Sequence, residues 1–248
     1  MRIVLGFLAA LCATAAMAAD IRVLTAGAFK PVVQAAIPDF ERQTGHRVIL
    51  ENGTAGALVK RIQEGAVFDL AVLTQSTVDE VIRSGQVAAA SSTPVSRVGI
   101  GFAVKQGAPV PDIGSTEKFK QALLDARAVA RIDPAAGGSS GIYLVKLFEK
   151  WGIAERIRAK AVLVPGGLTA ERVVNGEADV ALQQMSELVV VPGVKVVGPL
   201  PAEVQNYTLY VAGIASRAAQ PQAAQQLLTV LQSPAVRATF EARGMQAP

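Results

Sequence analysis

From Ile21 to Arg83 the chain alternates β-rich runs with helical stretches, and this alternation restricts the fold more than any other feature. Ile21-Arg22-Val23-Leu24-Thr25 reads as a strand and runs into Ala26-Gly27-Ala28. Pro31 suits the first turn of a helix reaching about Thr44, where Gly45 stops it. Arg47–Glu51 is a second strand and Asn52–Gly56 a loop, while Leu58 and Ile62 give helical spacing over Ala57–Gln63. Phe68–Thr74 reads as a buried strand and Thr77–Arg83 as a helix closed by Gly85. Parallel strands need long crossover connections, so the order βαβαβα calls for a parallel sheet covered by helices: an α/β fold.

After a strand at Val98–Val104, the pattern starts again. A helix is expected over Glu117–Ala126, a strand over Val129–Ile132, and a loop over Asp133–Gly141. There follow a helix from about Ile142 to Trp151, a strand over Ala161–Val164, a helix over Thr169–Asn175 and a strand over Asp179–Gln183. Val194–Val197 and Thr208–Ile214 are further strands, and Pro221–Leu231 and Pro234–Arg243 are closing helices. The final strand and helices have no sheet of their own. Returning them to the first unit gives two lobes, residues 19–100 with 208–248 and residues 101–207, with a cleft between them.

The start of the chain has a different character. Met1-Arg2 is a positive start, Ile3–Ala16 an apolar run too short to span a bilayer, and Ala16-Met17-Ala18 an A-x-A cleavage site. A signal peptide over residues 1–18 and a periplasmic location follow as expectations. Cys12 lies inside the apolar run behind Leu11, which does not make a lipobox, so the mature chain contains no cysteine. With one His and one Cys, most zinc and iron sites and Cys–His catalysis fall away, and no metal or cofactor is expected. The net charge of +4 comes from interspersed signs without a basic block, which argues against a nucleic-acid surface.

In open parallel sheets, ligands bind beyond the carboxyl ends of strands, at helix starts. That rule selects Ala26–Phe29, Thr54–Ala57, Asp133–Gly141 and Pro165–Thr169, all rich in small residues that let backbone N–H groups approach an anion. Ordinary βα turns use the same residues. Gly137-Gly138-Ser139-Ser140-Gly141 matches the G-x-S-x-G of a nucleophile elbow, but the one histidine, His46, precedes the serine in the chain. Ser139 and Ser140 are better read as helix N-caps and hydroxyl donors, and His46 as a surface turn residue. Asp69 and Asp133 read as loop caps or solvated strand ends. Lys30, Arg97 and Arg131 are the basic candidates for the cleft, and Tyr207 reads as hinge packing.

Four stretches carry a family resemblance: V-L-T-A-G-A-F, N-G-T-A-G-A-L-V-K-R-I-Q-E-G-A-V-F-D-L-A-V-L, D-P-A-A-G-G-S-S-G-I-Y and N-G-E-A-D-V-A-L-Q-Q. They resemble periplasmic solute-binding proteins of the molybdate-binding type, the extracellular component of an ABC importer. The resemblance spans essentially the whole mature chain. It implies a two-lobed type II fold with two crossover strands, a monomer closing on a tetrahedral oxyanion held by neutral donors, and a membrane permease as partner. The contacts it implies fall at Gly27, Ala28, Thr54, Ala55, Ser139, Ser140 and Gln184, with Lys30 close by.

Three of these positions depart from the family. Ala28 and Ala55 stand where it offers serine hydroxyls, and Gln184 where it offers a tyrosine. A buried oxyanion short of three partners loses about 1–3 kcal/mol for each. The extra room therefore favours an organic anion with Lys30 or Arg97 as its charge partner. The C-terminal lobe also resembles a branch that includes an aconitate isomerase, through V-K-Q-G-A-P-V-P-D-I, G-I-Y-L, G-E-A-D-V-A-L-Q-Q-M-S-E-L and V-P-G-V-K-V-V-G-P-L-P. That likeness implies a pocket able to hold a small polycarboxylate, and it leaves open an isomerase that moves a proton on an unsaturated tricarboxylate.

Overall fold

The computed structural model describes residues 18–248. The expected signal peptide and Cys12 lie outside the described residues, apart from Ala18. The first half runs β1 (Asp20–Ala26), α1 (Lys30–Thr44), β2 (Arg47–Gly53), α2 (Ala55–Gln63), β3 (Leu70–Thr74), α3 (Gln75–Arg83) and β4 (Thr93–Lys105). The second unit runs α4 (Thr116–Asp125), β5 (Val129–Ile132), α5 (Ser139–Lys150), α6 (Ala154–Arg158), β6 (Ala161–Val164), α7 (Ala170–Val174), β7 (Val180–Gln184), α8 (Met185–Leu188) and β8 (Val194–Pro199). The chain closes with β9 (Tyr207–Ile214), α9 (Pro221–Leu231), α10 (Pro234–Arg237) and β10 (Met245–Gln246).

The strands form one hydrogen-bonded path, β2-β1-β3-β9-β4-β7-β5-β6, with β8 and β10 also on β4. The path passes from one lobe to the other through β4, which has thirteen residues and changes partners midway. Thr93–Gly99 pair antiparallel with β9, whereas Ile100–Val104 pair antiparallel with β7. β1 is parallel to both β2 and β3, and β5 is parallel to both β6 and β7, as the crossover pattern requires.

Period-2 alternation sends successive side chains to opposite faces, and helices cover both. Leu70 and Val72 of β3 join Ile21, Phe29, Val33, Phe40 and Leu227 beneath α1 and α9. Ala71 and Leu73 face the other way, against Leu58, Ile62, Val78 and Val81 of α2 and α3. Across β4 the alternation continues in a second pair of cores. Phe102 and Val104 meet Phe119, Leu144 and Phe148, while Ala103 joins Ala130, Ala181, Ala170 and Leu188. The alanines on that second face let the short α7 and α8 sit close to the sheet.

Several local expectations need correction. α5 begins at Ser139 rather than Ile142, and its N-cap is Gly138, so Ser139 and Ser140 are helical residues and not caps. The final helix ends at Arg237, and residues 245–246 pair with Arg97 and Val98 on β4. His46 is buried, stacked on Phe40, and accepts a hydrogen bond from the Ala19 N–H at Nδ1 (3.2 Å). Asp69 is also buried. Its carboxylate accepts from the N–H groups of Arg22 (2.8 Å) and Gln220 (2.9 Å), tying β1 to the start of α9. Asp133 does cap its turn, accepting from the Ala135 N–H at 3.0 Å.

Candidate functional site

The carboxyl ends of β1, β2, β5 and β7 meet around a partly open cavity of about 210 Å³. Gly27, Ala28 and Lys30 enter it from the start of α1, Thr54 and Ala55 from the start of α2, Ser139 and Ser140 from the start of α5, and Gln184 from the end of β7. All eight residues expected from the sequence therefore line one space. Of the three basic candidates, Lys30 alone faces it. Arg97 is exposed and lies over the ring of Tyr207, 5.2 Å from its centroid. Arg131 is buried on β5 with Nε and Nη1 lacking partners, and burial pulls its pKa down.

The cavity is closed by contacts between the lobes. The Thr54 hydroxyl donates to the Ala136 carbonyl, and the Gly56 N–H donates to the Gly137 carbonyl at 3.1 Å. The two glycines pass so closely that a Cβ on Gly56 would lie 2.8 Å from Gly137 Cα. On the far side, the Ser186 hydroxyl donates to the Ala28 carbonyl at 2.8 Å. The Thr54 proton expected to reach a ligand is thus spent on closure, and the same oxygen also accepts from the Ala57 N–H, capping α2.

Gln184 is likewise engaged within the protein. The amide orientation that suits its neighbours lets Nε2 donate to the Val98 and Gly99 carbonyls, each at 3.1 Å. Its Oε1 then accepts from the hydroxyls of Ser139 (3.1 Å) and Thr208 (2.9 Å). One buried amide therefore joins β7, both crossover strands and the first turn of α5. Among the groups left facing the cavity are the backbone N–H groups at the start of α5. The first N–H groups of a helix have no intrahelical partner, and the helix dipole reinforces them.

The cavity residues outside the expectations include Glu187 on α8 and Tyr210 on β9. Among the described residues, Glu187 is the one acidic side chain lining the cavity, as Lys30 is the one basic side chain. Its Oε1 lies over the Gly27 backbone, where a Cβ would be 2.5 Å away. Its surface is part-buried where it lines the cavity, and burial pushes its pKa up to about 8, with the Gln183 amide opposing the shift. Tyr210 is buried, and loss of solvent, then the nearby Glu187 charge, keep its phenol protonated, while a hydrogen bond with Ser139 acts the other way. α8 is a single turn directly after a strand and gives no periodic signal, so only the stretch Q-Q-M-S-E-L marked this place in the sequence.

Known proteins share both the sequence and the fold. The chain is 34% identical to an aconitate isomerase of Pseudomonas sp over 230 residues, 90% of this chain and 86% of that protein. It is 28% identical to the molybdate-binding protein ModA of Azotobacter vinelandii over 192 residues, 75% of this chain and 73% of that one. The solved periplasmic molybdate-binding protein of Azotobacter vinelandii superposes with a TM-score of 0.76 at 18% identity, covering 92% of this chain and 99% of its own. The two-lobed α/β fold is thus that of periplasmic binding proteins. Among the described residues, no helix is long and apolar enough to cross a membrane. A family model described as bacterial extracellular solute-binding protein matches residues 21–246, nearly everything from β1 to β10, and the chain belongs to that family.

Proposed function

We propose that this protein is a periplasmic receptor that closes on a small organic polycarboxylate and presents it to the permease of an ABC importer. Its lobes are residues 19–100 with 208–248 and residues 101–207, and its signal peptide is residues 1–18. The convergence of all eight expected contacts on one cavity carries this reading. A volume of about 210 Å³ equals roughly seven waters at ~30 Å³ each, far more than a five-atom oxyanion fills. The Thr54 hydroxyl and the Gln184 amide are engaged within the protein, so a tetrahedral oxyanion would find few neutral side-chain donors. Lys30 and the start of α5 suit carboxylates held at separate points.

Glu187 supports a second reading. A carboxyl whose pKa is raised to about 8 beside an anion cavity is suited to proton transfer to and from carbon. An isomerase of an unsaturated tricarboxylate would take a proton from the methylene carbon and return one to the former vinyl carbon, leaving the base unchanged. The identity to an aconitate isomerase fits this reading too.

Calorimetry with molybdate, tungstate, sulfate, citrate and both aconitate isomers separates these readings. A polycarboxylate should bind and the oxyanions should not. Binding of a sugar or a cation with no response to any anion refutes the anion cleft. Interconversion of cis- and trans-aconitate by catalytic amounts of protein replaces the receptor reading with the isomerase one.

A further inference from the structure

Glu187 is anomalous in a cavity built for anions. An ionised carboxylate there would repel the ligand that Lys30 and the start of α5 attract. Its surroundings offer that charge little. Gly27 presents Cα to Oε1. Gln183 Nε2 already donates to the Gly167 carbonyl (2.8 Å) and Gln183 Oε1 accepts from the Thr169 N–H (2.7 Å), leaving one N–H for the carboxyl. Lys30 makes no ion pair with it among the described residues. The other titratable group facing it is Tyr210 from β9. The start of α5 brings Ser139 and Ser140, and the turn before α7 brings Gly167 and Leu168. A carboxyl in such a setting serves an anion site best as a neutral acid, which has a proton to donate.

We propose that Glu187 faces the bound anion as the neutral carboxylic acid and donates its proton in a hydrogen bond to a ligand carboxylate, so that anion capture at alkaline pH takes up a proton. The proton comes from solvent and returns there on release, and no bond to the ligand's carbon is made or broken. The inference rests on the anion-cleft reading and adds a proton to the captured species. The raised pKa of this group agrees with the geometry.

The probe is trans-aconitate, titrated into full-length mature protein by calorimetry between pH 7 and pH 9, a range in which its own carboxyls are ionised. For a carboxyl near 8 in the free cavity and higher when occupied, affinity should fall about tenfold between pH 7 and pH 9. Binding at pH 8.5, measured in two buffers of different ionisation enthalpy, should take up about three-quarters of a proton. Glu187→Gln keeps a donor but cannot ionise, so its affinity should be independent of pH and its proton uptake zero. Glu187→Leu has no donor and should bind at least about tenfold more weakly at pH 7. Thermal unfolding of both variants shows whether they are folded. A flat wild-type profile to pH 9, or equal proton uptake by Glu187→Gln, overturns the proposal while leaving the receptor reading intact. Absence of binding heat for the wild type with trans-aconitate, citrate and the oxyanions at pH 7 overturns both.

Discussion

Gly56→Ala should separate closure of the lobes from stability of the fold. The added methyl would sit 2.8 Å from Gly137 Cα and 3.2 Å from the Gly137 carbonyl oxygen, both backbone atoms that no rotamer change can move aside. Carbon atoms prefer about 3.5 Å or more, so the loops must part by roughly 0.7 Å at this point. Parting strains or breaks two bonds across the cleft, from the Gly56 N–H to the Gly137 carbonyl and from the Thr54 hydroxyl to the Ala136 carbonyl. At about 0.5–1.5 kcal/mol each, their loss weakens the closed state by about 1–3 kcal/mol, or roughly 5- to 150-fold in ligand affinity. Within α2, however, alanine is the better residue, by up to about 1 kcal/mol. The variant should therefore melt at or above the wild-type temperature yet bind its anion at least fivefold more weakly. Calorimetry and thermal unfolding measure the two separately. Unchanged affinity, or a loss of affinity matched by a loss of stability, refutes the reasoning. Gly137 is a poorer test site, because its φ of 73° would add backbone strain to any side chain.

Three further outcomes follow from buried groups. Asp69→Ala leaves the N–H groups of Arg22 and Gln220 without their acceptor and should cost about 2–4 kcal/mol in chemical unfolding; a change below about 0.5 kcal/mol refutes the cross-link. Gln184→Leu leaves the Ser139 and Thr208 hydroxyls and the Val98 and Gly99 carbonyls short of a partner, and should destabilise by about 2–4 kcal/mol whether or not ligand is present. Arg131→Met removes a buried guanidinium with two partnerless nitrogens and should leave stability unchanged or raise it by about 1 kcal/mol; a loss above about 2 kcal/mol refutes that reading.

What the sequence revealed depended on the range of the interaction behind each feature. Val129–Ile132, Ala161–Val164 and Pro221–Leu231 have the boundaries expected, because local propensity and flanking turn residues decide them. Gly45 stops α1 with φ 72°, a requirement local enough to read directly. The loops bearing Gly27, Thr54 and Ser139 were legible because strand-to-helix turns have characteristic residues. What those side chains do was not legible. Thr54 and Gln184 look like free donors until the other lobe supplies Ala136 and the hinge supplies Val98 and Thr208. Tyr207 and Tyr210 lie three apart on β9 and so face opposite sides of the strand; which of the two sides holds the cavity and which holds Arg97 is decided by the pairing with β4. Glu187 resembles any surface glutamate in a string of letters. Its significance comes from a single helical turn that folds it back over Gly27, a residue far away in the chain.

The path of the strands also dictates an order of assembly. β3 holds an inner place in the sheet between β1 and β9, yet β9 is made more than half a chain length later. Every residue needed for the cores around Phe102, Phe148 and Ala181 lies between 100 and 204 and exists before β9 does. The second lobe can therefore mature as a unit, while the apolar face formed by Ile21, Val23, Leu70 and Val72 waits for Tyr210, Leu227 and Leu231. Until then β3 presents an unpaired edge, and closing so long a loop carries an entropic delay. A chain cut short before Tyr207 would keep that edge permanently and would be prone to aggregate through its first half, even with its second lobe intact.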